Sequence, residues 1–217
     1  MKQRGFPNML YPAMLKLEGK RVVVIGGGKV AARKAASLLE AKAIVQVVSP
    51  EVGTEMTELM AHHPIDWQQK SFQREDLHSA IVVFAATNDR KVNEYIGQCA
   101  SDQQLVNIAD DPEASSFFVP ASFKKGKLAI AVSTSGGSPG LSKKIIQELS
   151  SQYDDHFIDF LDFLAECREQ IKDRVSDSAE RKQLLTELIQ SDLYEKIKEA
   201  DEQERVRLFN NLIDSRR

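Results

Sequence analysis

The chain has 217 residues and a net charge of −3, with 42% hydrophobic and 28% charged residues, as expected of a globular protein with a buried core. Its first 150 residues are mildly basic and the rest is acidic, which suits an anionic small ligand but lacks the dense basic stripe of nucleic-acid-binding proteins. No stretch approaches the roughly 20 apolar residues of a membrane span, and residues 1–11 lack the apolar run of a secretory signal. Cys99 and Cys167 form no CxxC pair, so we expect no metal site, no disulfide framework and a cytoplasmic protein.

The first half of the chain alternates β-rich runs with helical segments. Strands are predicted at residues 20–25, 43–48, 65–68, 80–85 and 105–108. Helices are predicted between them, at residues 29–41, 54–61 and 90–101. This alternation predicts an α/β fold with a parallel, doubly wound sheet of the Rossmann type that ends near Pro112.

The pattern changes after Pro112. Residues 117–120 and 128–132 predict two strands joined by a loop at 124–127 that is centred on Gly126. Because no long helix separates them, these strands can pair in antiparallel fashion. A stretch rich in Ser, Gly and Thr (133–140) precedes a predicted helix at 141–149, and the patterning is helical from Tyr153 to the end.

A glycine turn follows the first predicted strand. The segment Gly26-Gly27-Gly28-Lys29-Val30-Ala31 fits G-x-G-x-x-G/A. Gly26 allows a tight turn, and Gly28 lets the backbone approach a pyrophosphate at the positive end of the next helix. The strand before the turn and the helix and strand after it favour dinucleotide binding over a purely structural turn.

The end of the second predicted strand departs from the usual dinucleotide-binding pattern. An acidic residue that binds the ribose is expected about 20 residues after the glycine turn, but Ser49 and Pro50 occupy that place and Glu51 comes slightly late. Either Ser49 or Glu51 can meet the ribose. No Arg or Lys lies between Ala43 and Met60 to hold a 2′-phosphate, which favours NAD over NADP.

Polar residues also follow the fourth and fifth predicted strands, at the edge where open α/β sheets bind ligands. Thr87 and Asn88 offer hydrogen bonds to a ligand, although Asn88 or Asp89 can equally cap the following helix. Asp110 is a candidate catalytic carboxylate that removes a proton. Asp111 precedes Pro112, so a turn is the simpler interpretation of that residue.

The stretch Ser133 to Gly140 has two interpretations. Its hydroxyl and backbone N–H groups can bind carboxylates or phosphate. The alternative is a capped linker, with Pro139 in the first turn of the next helix.

Four segments together resemble one family. They are VVVIGGGKVAARKAASLLEAKA, FAATND, NIADDPEASSFFVPA and LAIAVSTSGGSPGLSKKI. In this order and spacing they resemble the N-terminal module of the siroheme synthases, a precorrin-2 dehydrogenase that is often also a sirohydrochlorin ferrochelatase. The resemblance runs through about residues 8–150.

The resemblance implies an activity and an organisation. The activity is the oxidation of precorrin-2, a polycarboxylate, to sirohydrochlorin with NAD as the hydride acceptor. The organisation is an NAD-binding domain (1–112), a dimerisation region (113–145) and a helical domain (146–217) in a homodimer. Because the sequence stops at Arg217, without a following methyltransferase domain, we expect the stand-alone dehydrogenase form. The alternatives are an enzyme that also inserts ferrous ion, and a non-catalytic nucleotide-sensing module.

The resemblance also assigns roles to residues. Lys29, Val30, Pro50 and Glu51 flank the cofactor, and Asp110 takes the place of the family's catalytic aspartate. The expected substrate-binding residues are Ser133, Thr134 and Ser135.

Overall fold

A computed structural model describes residues 10–190 and 193–214 of the chain. The described residues form two compact units, one of residues 10–119 and one of residues 120–190 and 193–214. Most of the segment on which we base the absence of a secretory signal, residues 1–9, lies outside the described residues. Within them, no helix is long and apolar enough to cross a membrane.

The first unit is built on a five-stranded parallel sheet. Its strands are β1 (Arg21–Ile25), β2 (Ile44–Val48), β3 (Asp66–Gln68), β4 (Val82–Ala85) and β5 (Leu105–Ile108), in the order β3-β2-β1-β4-β5. The connections contain the helices α1 (Lys29–Glu40), α2 (Thr54–His62) and α3 (Arg90–Cys99), and a short 3₁₀ helix at Arg74–Leu77. This confirms the predicted Rossmann-type fold.

Both faces of this sheet are buried at its central strands, which explains why β1 and β4 are apolar runs. In β1, Val22 and Val24 pack on one face with α1, while Val23 and Ile25 pack on the other with Ile96 of α3. These four β1 side chains are at most 2% exposed.

The strand order indicates where on the sheet a crevice for a ligand lies. The chain leaves β1 towards β2 on one side and returns to β4 on the other, so the loops after β1 and β4 diverge at the carboxyl edge of the sheet. Ligands bind at such a switch point in open α/β sheets.

The second unit joins a hairpin to helices. Strands β6 (Ala121–Lys125) and β7 (Leu128–Val132) pair antiparallel, with Phe123 opposite Ile130. The helices that follow are α4 (Pro139–Gln152), α5 (Asp155–Arg174), α6 (Ser178–Gln190), α7 (Leu193–Glu199) and α8 (Glu202–Asp214). The apolar faces of α5, α6, α7 and α8 enclose a separate core that includes Phe160, Cys167, Leu184, Ile197 and Phe209.

The hairpin turn is fixed to α5. Gly126 has φ +54°, and a side chain there would collide with Ile158. On either side of the glycine, Lys125 Nζ lies 2.8 Å from Asp155 and Lys127 Nζ lies 2.7 Å from Asp162. The bond from Lys125 lowers the pKa of the Asp155 carboxyl. An antiparallel hairpin is therefore present as predicted, but its first strand is Ala121–Lys125 and not residues 117–120, and the turn has a defined position on its own unit.

The prediction of a strand at residues 117–120 is wrong. The segment is irregular, and β6 begins only at Ala121, so Lys124 and Lys125 belong to a strand and not to the loop. Long-range contacts determine its path, because Asn107 Nδ2 donates to Phe117 O (3.0 Å) and the Phe117 ring packs edge-on against Phe84. Pro120 has no N–H with which to continue a ladder.

Candidate active site at the carboxyl edge of the sheet

The glycine turn is packed between two neighbouring loops. Gly26 has φ +122°, and a side chain there would collide with the carbonyl of Ala86, directly after β4. A side chain at Gly27 would collide with the carbonyl of Glu51, in the loop after β2. The Gly53 N–H also donates to Gly27 O (2.9 Å). Both positions therefore require glycine so that the three loops can meet.

Gly28 differs, because its surroundings are open. No atom lies within 4 Å of a Cβ placed there, and its φ of −82° is accessible to any residue. Gly28 is the N-cap of α1, yet no side chain caps this helix and its first turn contains no acidic residue. By contrast, Asp89 caps α3. The start of α1 thus has free N–H groups and the room that a pyrophosphate needs.

The residues after the glycine turn are exposed. Lys29 and Val30 begin α1, and Lys29 Nζ lies 3.7 Å from Glu55 in a solvent-exposed ion pair. One turn later, Lys34 is half-buried with its ammonium 5.3 Å from the centre of the Phe84 ring. Burial, and to a lesser extent the neighbouring Arg33, lower the pKa of Lys34.

The two candidates for ribose binding, both in the loop after β2, have different surroundings. Ser49 is buried, its hydroxyl donates to Glu51 O (2.7 Å), and its carbonyl accepts a hydrogen bond from the Trp67 indole (3.1 Å). Pro50 and Glu51 are exposed beside Gly27. The Ser49 hydroxyl is therefore used to shape the loop, while the Glu51 carboxylate faces solvent at the crevice.

The loop after β4 contains the helix cap that its sequence predicts. Asp89 is the cap, since its Oδ1 accepts hydrogen bonds from Lys91 N (2.8 Å) and Val92 N (3.4 Å). Asn88 is exposed and does not cap the helix. Thr87 is half-buried, and its Oγ1 lies 2.8 Å from Asn93 Oδ1.

The two carboxylates after β5 have different surroundings. Asp111 Oδ1 accepts hydrogen bonds from the N–H groups of Glu113 and Ala114, both at 3.1 Å, so this side chain forms the expected turn. Asp110 is exposed, and its Oδ1 accepts one hydrogen bond, from Asn93 Nδ2 (2.9 Å). Asp111 therefore has a local structural role, whereas Asp110 is exposed and is held by one side-chain hydrogen bond.

Asn93 is a site residue that the sequence did not reveal. It lies on α3, is 1% exposed, and bridges the loop after β4 to the loop after β5. Its one sequence signal is its position three residues before the buried Ile96, which places an asparagine on the apolar face of the helix.

The hydroxyl-rich loop of the second unit is internally bonded. Ser133 Oγ accepts a hydrogen bond from Ser135 N (3.1 Å), and Thr134 Oγ1 accepts one from Ser138 N (3.0 Å). The buried Ser142 hydroxyl donates to the same Thr134 oxygen (3.2 Å). Ser138 caps α4, with Pro139 at the first helical position. The loop is a capped helix start, and its Ser and Thr oxygens help to fix its shape.

Comparisons with known proteins decide the family. A family described as NAD(P)-binding matches residues 13–121, and a SirC C-terminal domain family matches residues 157–206. A precorrin-2 dehydrogenase of Priestia megaterium is 39% identical over 83% of this chain and 89% of its own length. The chain belongs to the precorrin-2 dehydrogenase family. A solved structure titled "SirC, precorrin-2 dehydrogenase" matches 93% of this chain and 100% of that chain, with a TM-score of 0.76 and 34% identity.

The family also includes longer proteins. Siroheme synthase 3 of Aeromonas hydrophila is 34% identical over 83% of this chain, but the match spans only 39% of that protein. These comparisons confirm the resemblance to the siroheme synthase N-terminal module and the expectation of a nicotinamide cofactor. The open start of α1 fits such a cofactor, because Gly28 leaves space where a larger residue would fill it.

Proposed function

We propose that this chain catalyses the NAD-dependent oxidation of precorrin-2 to sirohydrochlorin in siroheme biosynthesis. The observation that carries the proposal is the exposed Asp110 carboxylate at the carboxyl edge of the sheet that holds the glycine turn. It occurs in a chain 39% identical to a precorrin-2 dehydrogenase. Together these observations favour an enzyme over a non-catalytic nucleotide sensor as the function of this chain.

The cofactor in this proposal is NAD. The Gly26 and Gly28 backbone and the start of α1, with Lys29 and Val30, hold its pyrophosphate. The exposed Glu51, with Ser49 and Pro50 shaping its loop, meets the ribose. Between Ala43 and Met60 no Arg or Lys is present to hold a 2′-phosphate, which supports NAD over NADP. When bound, the nicotinamide supplies a hydride acceptor.

Asp110 has the role of general base. Oxidation of precorrin-2 removes two hydrogens, one as hydride to the cofactor and one as a proton, and the Asp110 carboxylate takes the proton. Thr87 and Asn88 lie in the loop after β4, which packs against the glycine turn; the exposed Asn88 offers hydrogen bonds to the cofactor, and Thr87, bonded to Asn93, shapes the loop beside it.

The substrate is a polycarboxylate, so hydroxyl and N–H donors are suited to binding it. We assign this role to Ser133, Thr134 and Ser135 in the loop before α4. We further propose that the chain works as a cytoplasmic homodimer, with a cofactor domain at 1–112, a dimerisation region at 113–145 and a helical domain at 146–217.

Turnover tests the function. Purified protein with precorrin-2 and NAD should produce NADH and sirohydrochlorin, and NADP should be a much poorer acceptor.

Asp110→Ala should bind NAD normally but lose about 10²- to 10⁴-fold in kcat. Asp111→Ala is the matched control, because its carboxylate forms a turn, and it should retain most of its turnover. Near-normal turnover of Asp110→Ala would remove this residue from the mechanism. Faster ferrous-ion insertion into sirohydrochlorin than in protein-free solution would support the second activity.

A further inference from the structure

We propose that Asn93 is a positioning residue that holds the Asp110 carboxylate in its reactive orientation and ties it to the loop after β4. The proposal rests on the dehydrogenase function and adds a residue to its machinery. Asn93 belongs to α3 and is itself buried.

The amide of Asn93 uses its full hydrogen-bonding capacity. Its Nδ2 donates to Asp110 Oδ1 (2.9 Å) and to Thr87 O (3.2 Å). Its Oδ1 accepts from Thr87 N (3.1 Å) and lies 2.8 Å from Thr87 Oγ1. Two donors and two acceptor positions are all that an asparagine side chain offers.

The chemistry of the neighbours fixes which way the amide faces. With the opposite orientation, the amide oxygen would face a carbonyl and a carboxylate, and the NH₂ group would face the Thr87 N–H. Only the observed orientation satisfies every group, and an unsatisfied buried polar group is costly. One oxygen of Asp110 is thereby held by a buried donor.

The consequence is a rigid link between two loops of the crevice. Thr87 follows Ala86, whose carbonyl packs against Gly26, while Asp110 follows β5. Asn93 bonds to both, so the position of the Asp110 carboxylate is set relative to the glycine turn. Catalytic groups need this kind of support, because a displacement of about 1 Å can cost about 100-fold in rate.

The experiment is a double-mutant cycle with precorrin-2 and NAD, using Asn93→Ala, Asp110→Ala and the double variant. Asn93→Ala should lower kcat about 10- to 100-fold and change the KM for precorrin-2 by less than about threefold. In the Asp110→Ala background the same change should have almost no further effect, because the group that Asn93 positions is gone. Equal fold-losses in both backgrounds would overturn the proposal.

A matched control separates positioning from general stability. Gln104 is also a hydrogen-bonded side-chain amide, but at the amino edge of the sheet: its Nε2 donates to Leu77 O (2.7 Å) and Ala80 O (2.8 Å), and its Oε1 accepts from Ser101 N (2.9 Å). Gln104→Ala should lower the melting temperature while leaving kcat within about twofold. If it lowers kcat as much as Asn93→Ala does, the loss reflects weakened folding and the proposal fails.

Two further measurements cover the remaining outcomes. Should Asn93→Ala not fold, Asn93→Leu fills the same volume without a donor and should show the same dependence on Asp110. The side-chain amide resonance of Asn93 should shift in Asp110→Ala without any turnover. Absence of that shift overturns the contact itself. If the shift occurs but the wild-type protein never reduces NAD with precorrin-2, the contact stands and the proposed function is overturned.

Discussion

Replacing Gly28 with alanine tests whether the start of α1 holds the cofactor. The φ of −82° at Gly28 suits alanine, and no atom lies within 4 Å of the added methyl group. Gly→Ala at a compatible position changes the free energy of unfolding by about 0.4–1 kcal/mol, and alanine is a somewhat poorer N-cap than glycine. The two effects oppose each other, so we expect the free energy of unfolding of Gly28→Ala to lie within about 1 kcal/mol of the wild-type value.

Cofactor binding should respond differently. The methyl group occupies the space through which a pyrophosphate approaches the backbone, and it displaces at least one hydrogen bond to a charged group, worth about 1.5–3 kcal/mol. We therefore expect NAD to bind about 10- to 100-fold more weakly. The dissociation constant can be measured by titration calorimetry, and stability by urea unfolding.

Gly27→Ala is the matched control for Gly28→Ala. Its methyl group would collide with the Glu51 carbonyl, so this variant should be destabilised by about 1–3 kcal/mol or more. If Gly28→Ala is stable and binds NAD within about twofold of the wild type, the pyrophosphate does not lie over Gly28 and the cofactor assignment is refuted.

The remaining predictions concern stability and reactivity away from the crevice. Cys167 is buried, and burial raises the pKa of its thiol to about 12. A thiol reagent at pH 8 should therefore modify the more accessible Cys99 in the folded protein, and Cys167 only after unfolding. Peptide mass mapping would identify the modified cysteine. Asp76→Ala removes a buried carboxylate that caps the 3₁₀ helix and lies 2.6 Å from Lys70 Nζ. Urea unfolding should therefore show a free energy of unfolding lower by about 1–3 kcal/mol, with unchanged NAD affinity. A variant as stable as the wild type would contradict this prediction. Gly126→Ala should destabilise the second unit, because φ is +54° and Ile158 blocks the methyl group, and an unchanged melting temperature would show that the hairpin turn is not fixed to α5.

Local patterns were sufficient to predict most of the first unit. The β-branched runs are buried on both sides, so they carry a strong strand signal, and the glycine turn has the sequence context of a dinucleotide site. The turn formed by Asp111 also follows from its position before Pro112, because an aspartate bonding to the backbone after it is a local feature.

Features that depend on distant contacts were not predictable. Residues 117–120 have strand-like composition, but Asn107 and Phe84 hold them in an irregular path next to β5. Asn93 meets Asp110 across 17 positions of sequence, which requires α3 and β5 to be packed first. The Ser49 hydroxyl was a candidate ribose ligand, yet it bonds to Glu51 O in a loop that the Trp67 indole, 18 positions away, also holds through Ser49 O.

The most direct test of the proposed function is the stoichiometry of turnover. With precorrin-2 and excess NAD under anaerobic conditions, we predict one NADH formed for each sirohydrochlorin, followed by their separate absorbance bands. The rate should be proportional to enzyme concentration. Sirohydrochlorin forming without NADH, or neither product exceeding the protein-free control, would contradict the assignment of this chain as an NAD-dependent dehydrogenase.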